Sequence, residues 1–338
     1  MAMRVALIVA LASHASALRV LVVGGTGRVG RHVVAQLRAQ GVPHRVLARD
    51  PAAALAALPA GTDIVAGDLA DVPSLRAAMD GVSACIAVSG VSRFTRAADL
   101  LTGRLFAPDP APPSESTHPY VANERGMSNL VEAAKASGSC GKIVRVTGLS
   151  VGRPAWSPVA LLFNCLLSVS GRHHANGENA LRTSGLDYTI LRPGGLSDEQ
   201  KRAGRGRLLG AALAPPARIG RSDLAALAIE CLTHPDASRA TLCCAWTAGA
   251  APDASAWSSL LAAARPSCRD APAGAPRRVP PYRLAVGTAA CAAAGVATAG
   301  IARLLGAALG VRLPPLATAA AVALAIALNA GRSAARGS

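Results

Sequence analysis

The sequence predicts an α/β fold: a parallel sheet, doubly wound, with helices on both faces. Two observations carry this expectation. Short apolar runs of strand character alternate with stretches of helical periodicity from residue 18 to residue 191. The first of those runs opens directly into a glycine-rich loop that leads into a helix. Strands buried on both faces read as continuous apolar runs, and strands alternating with helices imply parallel pairing.

Residues 18–23 (LRVLVV) form the first strand. The loop Gly24-Gly25-Thr26-Gly27-Arg28-Val29-Gly30 follows, and residues 31–40 place Val33, Val34 and Leu37 at helical spacing. Strand, glycine loop and helix in this order make the dinucleotide-binding arrangement of Rossmann-like sheets. Gly24 permits the tight turn, Gly27 lets the backbone approach a pyrophosphate, and Gly30 allows the helix to pack closely on the strand. The helix start offers amide donors and a partial positive charge to phosphates. Isolated glycine triplets also occur as plain turns; the flanking strand and helix distinguish this one.

Residues 44–48 (HRVLA) form the second strand, which ends at Arg49-Asp50. An acid at this place binds the ribose hydroxyls of NAD, and an arginine suits the 2′-phosphate of NADP. Arg49 comes first and Arg28 can add a second contact, so NADP is expected and NAD is left open. Asp50 reads either as a ribose ligand or as a cap before Pro51. Residues 63–66 (DIVA) are the third strand, followed by Gly67-Asp68-Leu69 and a helix over 72–79. Residues 83–88 (SACIAV) are the fourth, ending in Ser89-Gly90. A long irregular stretch, 91–118, carries Pro108, Pro110, Pro112 and Pro113 and has the length of a lid. Helix is expected over 120–136 and 175–183. Strands are expected over 142–147 (KIVRVT) and 187–191 (DYTIL), the last closed by Arg192-Pro193-Gly194-Gly195.

Composition narrows the function. Of the 338 residues, 51% are apolar and 16% charged, which excludes a disordered polar chain. Aromatic residues are 3%, so the core is built of Ala, Val and Leu, and stacking platforms for nucleic-acid bases are scarce. The net charge is +16, and only Lys135, Lys142 and Lys201 are lysines. Scattered surface arginines account for most of that charge. An acidic ligand or an anionic membrane are the sharper readings. No nucleic-acid partner is expected, because no recognition motif accompanies the charge. No two of the eight cysteines stand in C-x-x-C spacing, so no metal is expected and most of them are read as small buried fillers; Cys243 and Cys244 lie side by side in an expected strand.

The two ends differ from the middle. Residues 1–17 (MAMRVALIVALASHASA) have one arginine, an apolar stretch and a small-x-small site, the anatomy of a signal peptide; an uncleaved, disordered start is the competing reading. Residues 18–246 are the nucleotide-binding domain, and 247–281, rich in Ala, Pro and Arg, read as a linker. Residues 282–332 hold two uncharged stretches, 284–302 and 316–330, that read as a membrane hairpin; a pair of Ala-rich helices on a soluble domain is the competing reading. Together the ends imply secretory targeting and a membrane-associated product, in an endomembrane or a complex plastid.

The runs VVGGTGRVG, AGDLAD, LVEAAKASG, SGLDYTILRPGGL and IGRSDLAALAIECL resemble the atypical short-chain dehydrogenase/reductases of the NAD(P)H-binding, NmrA-like type. Flavin and biliverdin reductase-like proteins and several plastid assembly factors belong to that neighbourhood. The resemblance covers about residues 19–246. It implies that Gly24, Thr26, Gly27, Arg28, Val29 and Gly30 hold the pyrophosphate, and that Arg49 meets the adenosine ribose. It further implies that Asp68 and Leu69 flank the adenine, that Ser89 and Gly90 line the nicotinamide side, and that Pro193 and Gly194 pass near the nicotinamide amide.

One departure stands out. The wider family protonates substrate with a Tyr-x-x-x-Lys pair. The residues four before Lys135, Lys142 and Lys201 are Val131, Gly138 and Ser197, so this pair is absent. Thr147 or Ser150 could hydrogen-bond a carbonyl instead, or the segment is an ordinary strand-end turn. His173 and His174 precede the helix with Glu178. A histidine could act as an acid near neutral pH, and Glu178 could orient a ligand or face solvent. Two functions follow. One is an NADPH-dependent oxidoreductase acting on a flat carbonyl, quinone or flavin. The other is a non-catalytic NADP-binding scaffold or assembly factor at a membrane.

Overall fold

The computed structural model describes residues 18–289, apart from 92, 97, 100–104, 106, 199–204, 211–216, 249–255, 269, 271–275, 280 and 283. The expected signal peptide and most of the expected hairpin lie outside the described residues.

The strands β1 (Val20–Val23), β2 (His44–Ala48), β3 (Asp63–Ala66), β4 (Ala84–Ala87), β5 (Lys142–Val146) and β6 (Asp187–Pro193) are six expected from the sequence, with ends shifted by a residue or two. The strand expected around Cys243 and Cys244 is β10 (Ala240–Ala248), and three more appear: β7 (Gly195–Ser197), β8 (Arg205–Gly210) and β9 (Arg218–Gly220). Among the described residues the main sheet runs β3-β2-β1-β4-β5-β6-β10-β8. Seven of these strands are parallel, and β8 pairs antiparallel with β10 at the edge. β7 and β9 form a small separate parallel pair. Strand order reverses beside β1, between β1 and β4, and a crevice opens at the strands' carboxyl ends where order reverses in this way.

Helices cover both faces. In β1, Val20 and Val22 enter one core while Leu21 and Val23 enter the other, as the two-residue period of a strand requires. The first core takes α1 (Gly30–Ala39) through Val33, Val34 and Leu37, and α7 (Arg221–Glu230) through Leu224, Leu227 and Ala228. The second takes α3 (Val72–Ala78) through Leu75, and α4 (Gly126–Ser137) through Met127 and Leu130. Between β2 and β3 lies α2 (Pro51–Ala57).

Several sequence expectations need correction. The helix expected over 120–136 starts as a wide π turn, Tyr120–Arg125, before α4 begins. The helix expected from residue 175 starts earlier, as α6 (Ser170–Arg182), and α5 (Pro158–Leu166) precedes it. The stretch 247–281 is more than a linker, because it contains α8 (Ala256–Cys268). Trp257, Leu261, Ala264 and Cys268 of α8 are buried in the first core. Their spacing is helical, but Ala, Pro and Arg around them mask it. Of the expected hairpin, residues 284–289 are described as helical, and Tyr282, Ala285 and Val286 pack against Leu105, Val151, Ala155, Val169 and Ala175. Among the described residues no helix is long and apolar enough to cross a membrane. The seven described cysteines are all free thiols, six of them buried.

Candidate functional site

The site grows from the end of β1. Gly24 has φ of +84°, and a Cβ there would lie 2.7 Å from the backbone nitrogen of Ser89 at the end of β4. A glycine is therefore required both for the turn and for the contact between the two strand ends. A Cβ on Gly30 would fall 2.1 Å from the Gly24 carbonyl oxygen, so the first turn of α1 packs directly on the loop. No side chain caps α1, and its first turn holds no acid. By contrast, Asp50 caps α2 and Asp71 caps α3. The Arg31, His32 and Val33 amides donate back to the Gly27 and Val29 carbonyls, so the turn closes on its own backbone, and with no side chain or acid over it the positive end of α1 faces outward for an anion.

This loop forms one wall of a cavity of about 620 Å³ at the carboxyl ends of the strands. Gly24, Thr26, Gly27, Arg28 and Val29 line it, as do Arg49, Asp68, Leu69, Ser89 and Gly90. Thr147 and His174 line it as well. The remaining candidates lie elsewhere. Gly30 sits behind the loop. Gly194 turns the chain against Ala217, whose carbonyl oxygen would be 2.3 Å from a Cβ there, and Pro193 ends β6. Ser150 belongs to a 3₁₀ turn, Leu149–Gly152, and Glu178 is wholly buried beneath the cavity.

At the outer end Arg49 donates to the Ser116 hydroxyl at 2.6 Å, tying the 91–118 stretch to the end of β2. Asp50 accepts from the Ala53 amide at 3.0 Å, so its carboxylate is a helix cap, and Arg49 is the residue that lines the cavity. Asp68 accepts from the Ala70 amide at 2.8 Å and shapes its own turn. Asn123, fully buried, both donates to and accepts from the Val91 backbone at 3.0 and 3.3 Å and fixes the chain as it leaves β4. Asp198 accepts from Arg28 at 2.5 Å and from Arg221 at 2.6 Å. The Arg28 hydrogen bond, with Arg221, holds its carboxyl below the usual range.

At the inner end Thr147 donates from Oγ1 to Glu178 at 2.8 Å. Glu178 also accepts from Arg182 at 3.0 Å and from Arg192 at 2.5 and 3.0 Å. Burial pushes its carboxyl up, but Arg192, Arg182 and Thr147 pull it down further, so it stays ionised. The solvated-acid reading of Glu178 is replaced by a buried anion, which meets the cavity lining through Thr147. Arg182 continues the network to Asp270 at 3.1 Å, which also accepts from Tyr188 and Thr241, each at 2.9 Å.

His174 keeps part of its surface on the cavity. Burial, and then the nearby Arg145 charge, lower its imidazole to about 3, so it is neutral near pH 7. It therefore offers a hydrogen bond, not a proton, in that range. His173 faces away and pairs through Nδ1 with Glu124 at 2.6 Å, its ring against Tyr120 and His118. Sequence reasoning passed over Arg145, whose side chain lies inside the protein and contacts Ser89. The available signal was a charge set between two valines, Val144 and Val146, inside the strand run KIVRVT.

The open helix start, the close approach at Gly24 and Gly27, and a cavity of this volume all suit a dinucleotide. The comparisons agree. A chloroplastic protein of Arabidopsis thaliana is 29% identical over 202 residues, covering 58% of this chain and 58% of its own. An NAD(P)H azoreductase of Xenophilus azovorans is 28% identical over 176 residues, covering 52% of this chain and 47% of its own. The chain spans between 47% and 60% of the length of these and a further Arabidopsis relative. An anaerobilin reductase structure from Escherichia coli shares the fold, with a TM-score of 0.51 and 22% identity over 67% of this chain and 96% of its own. Residues 24–235 match the family described as NAD(P)H-binding, and the chain belongs to that family.

Proposed function

We propose that the protein is an NADPH-dependent oxidoreductase acting on an electron-poor conjugated acceptor: a quinone, a flavin or a flat carbonyl. The observation that carries this reading is one continuous cavity reaching from Arg49 at the adenosine end to Thr147 and His174 at the other. Arg49 and Arg28 would hold the 2′-phosphate and diphosphate, and the loop amides would complete the grip. A bound nicotinamide supplies the hydride. At the acceptor end the chain's own contribution is modest. The Thr147 proton is committed to Glu178. His174, neutral, can polarise an acceptor oxygen through its ring N–H. Acceptors whose reduced anion is delocalised need no stronger acid and take their proton from water, which selects quinones and flavins over simple ketones. The NAD(P)H azoreductase among the relatives is consistent with this class.

The same weakness of acid groups at the inner end favours a second reading, a dinucleotide-holding scaffold without turnover. Membrane association in an endomembrane or complex plastid remains part of the proposal on the sequence of the two ends, and carbonate extraction of the full chain tests it. Calorimetry with NADPH and NADH, followed by NADPH oxidation against a quinone and flavin panel, separates the two functions. Binding with turnover supports the oxidoreductase, and binding without turnover supports the scaffold. Folded protein that binds neither dinucleotide removes both. For an active protein, the turnover profile should show no inflection from His174 between pH 5 and 8, on the order of the ordinary histidine range.

A further inference from the structure

Seven large apolar side chains are exposed among the described residues, and six of them belong to one region: Phe94, Trp156, Leu162, Phe163, Leu166 and Leu284, each between 47% and 77% exposed. They gather around one small buried cluster. Ala160 of α5 is buried, and Leu161 and Cys165 of α5 pack against the buried cluster that includes Val151, Tyr282 and Val286, leaving Leu162, Phe163 and Leu166 outward. Thr95 donates its amide to the Leu166 carbonyl at 2.7 Å, which brings Phe94 to the end of the same helix. Leu284 lies in the segment that Tyr282 anchors, its hydroxyl donating to the Val151 carbonyl at 3.0 Å. The α5 sequence, PVALLFNCL, has no charged residue. An exposed patch of this kind marks an interaction surface.

Two observations select the occupant. Past the anchored residues the sequence remains uncharged to Ala302 and is uncharged again over 316–330, so the chain continues from this region as apolar sequence. Arginines stand beside the apolar side chains in the sequence: Arg96, exposed and 3.4 Å from Glu115, follows Phe94, and Arg153, half-buried, precedes Trp156. Apolar side chains rimmed by cations suit the boundary of an anionic bilayer. We propose that the outward face of α5, with Phe94 and Trp156, seats on a lipid bilayer. α5 also lies on the single excursion of the chain between Thr147 and His174, returning through Ser168 and Val169 at φ of 49° and 54°. The seated face is thus covalently close to the acceptor end of the cavity, and the seating holds whether or not the cavity supports turnover.

Tryptophan emission tests it in the full-length chain. Of the three tryptophans, Trp257 is buried, Trp246 is hydrogen-bonded to Asp223 at 2.6 Å, and Trp156 is in the patch. Vesicles of phosphatidylcholine and phosphatidylglycerol with brominated acyl chains should quench the emission, and Trp156→Phe should abolish the quenched component. Leu162→Glu combined with Phe163→Glu should raise the half-saturating lipid concentration at least about tenfold with an unchanged near-ultraviolet dichroism spectrum, since both side chains would leave an apolar environment. Equal quenching of the Trp156→Phe protein, or none of the unsubstituted protein, overturns the proposal. So does a double variant that binds lipid as before, or one that turns a dimer into a monomer on sizing, since a second copy would then cover the face.

Discussion

Arg145 donates from Nη1 to the Ser89 carbonyl at 2.6 Å and to the Ser89 hydroxyl at 3.1 Å, from a position 1% exposed one residue before the end of β5. No ion pair to Arg145 occurs among the described residues, and burial lowers its guanidinium to about 10. The arginine fixes the end of β4, and with it the surface that Gly24 touches. Arg145→Met removes the hydrogen bonds that fix Ser89 against the glycine loop, so NADPH affinity should fall roughly tenfold by calorimetry. The thermal midpoint should hold or rise, because a desolvated cation disappears with it. A lowered midpoint with intact affinity would reverse this assignment.

Gly24→Ala meets two obstacles at once, a φ of +84° and a Cβ 2.7 Å from Ser89. The substitution should cost about 1–3 kcal/mol in chemical denaturation. It should also abolish dinucleotide binding in the protein that remains folded, because the loop must move away from Ser89.

Arg49 and Asp50 are adjacent but have separable effects. Arg49→Ala should weaken NADPH about tenfold to a hundredfold and leave NADH nearly untouched, as expected for loss of a phosphate contact. Asp50→Ala loses the hydrogen bond to the Ala53 amide. It should cost about 1 kcal/mol of stability with no change in the NADPH to NADH ratio. Parallel titrations of both variants check the pair, and a shifted ratio in Asp50→Ala would return that carboxylate to the ribose.

Glu178 predicts an acid limit. Its folded carboxyl lies below its ordinary value of 4.5, so it stabilises the fold above that pH and loses the contribution as pH falls through the lower folded value. The thermal midpoint should therefore decline on acidification below about 4.5, and Glu178→Gln should flatten that decline. At pH 7 the same variant should be destabilised by about 3–5 kcal/mol, because Arg182 and Arg192 lose their shared counter-ion. An unchanged midpoint at pH 7 would mean the network is not needed for stability.

Local order determined what the sequence could show. The six strands, the glycine loop and Arg49 at the end of β2 were all legible, because each depends on neighbours within a few residues: a two-residue or helical period, a positive φ, a strand terminus. The third dimension decided the rest. Glu178 became a buried anion only once β6 had brought Arg192 against it. Arg145, Arg182, Arg192 and Asp270 read as ordinary charges along the chain, since burial of a charge depends on partners far away in sequence; Arg182 and Asp270 are 88 residues apart. α8 stayed hidden because its apolar stripe, from Trp257 to Cys268, lies within Pro-rich and Ala-rich sequence, and it is the first core it packs against that reveals the helix.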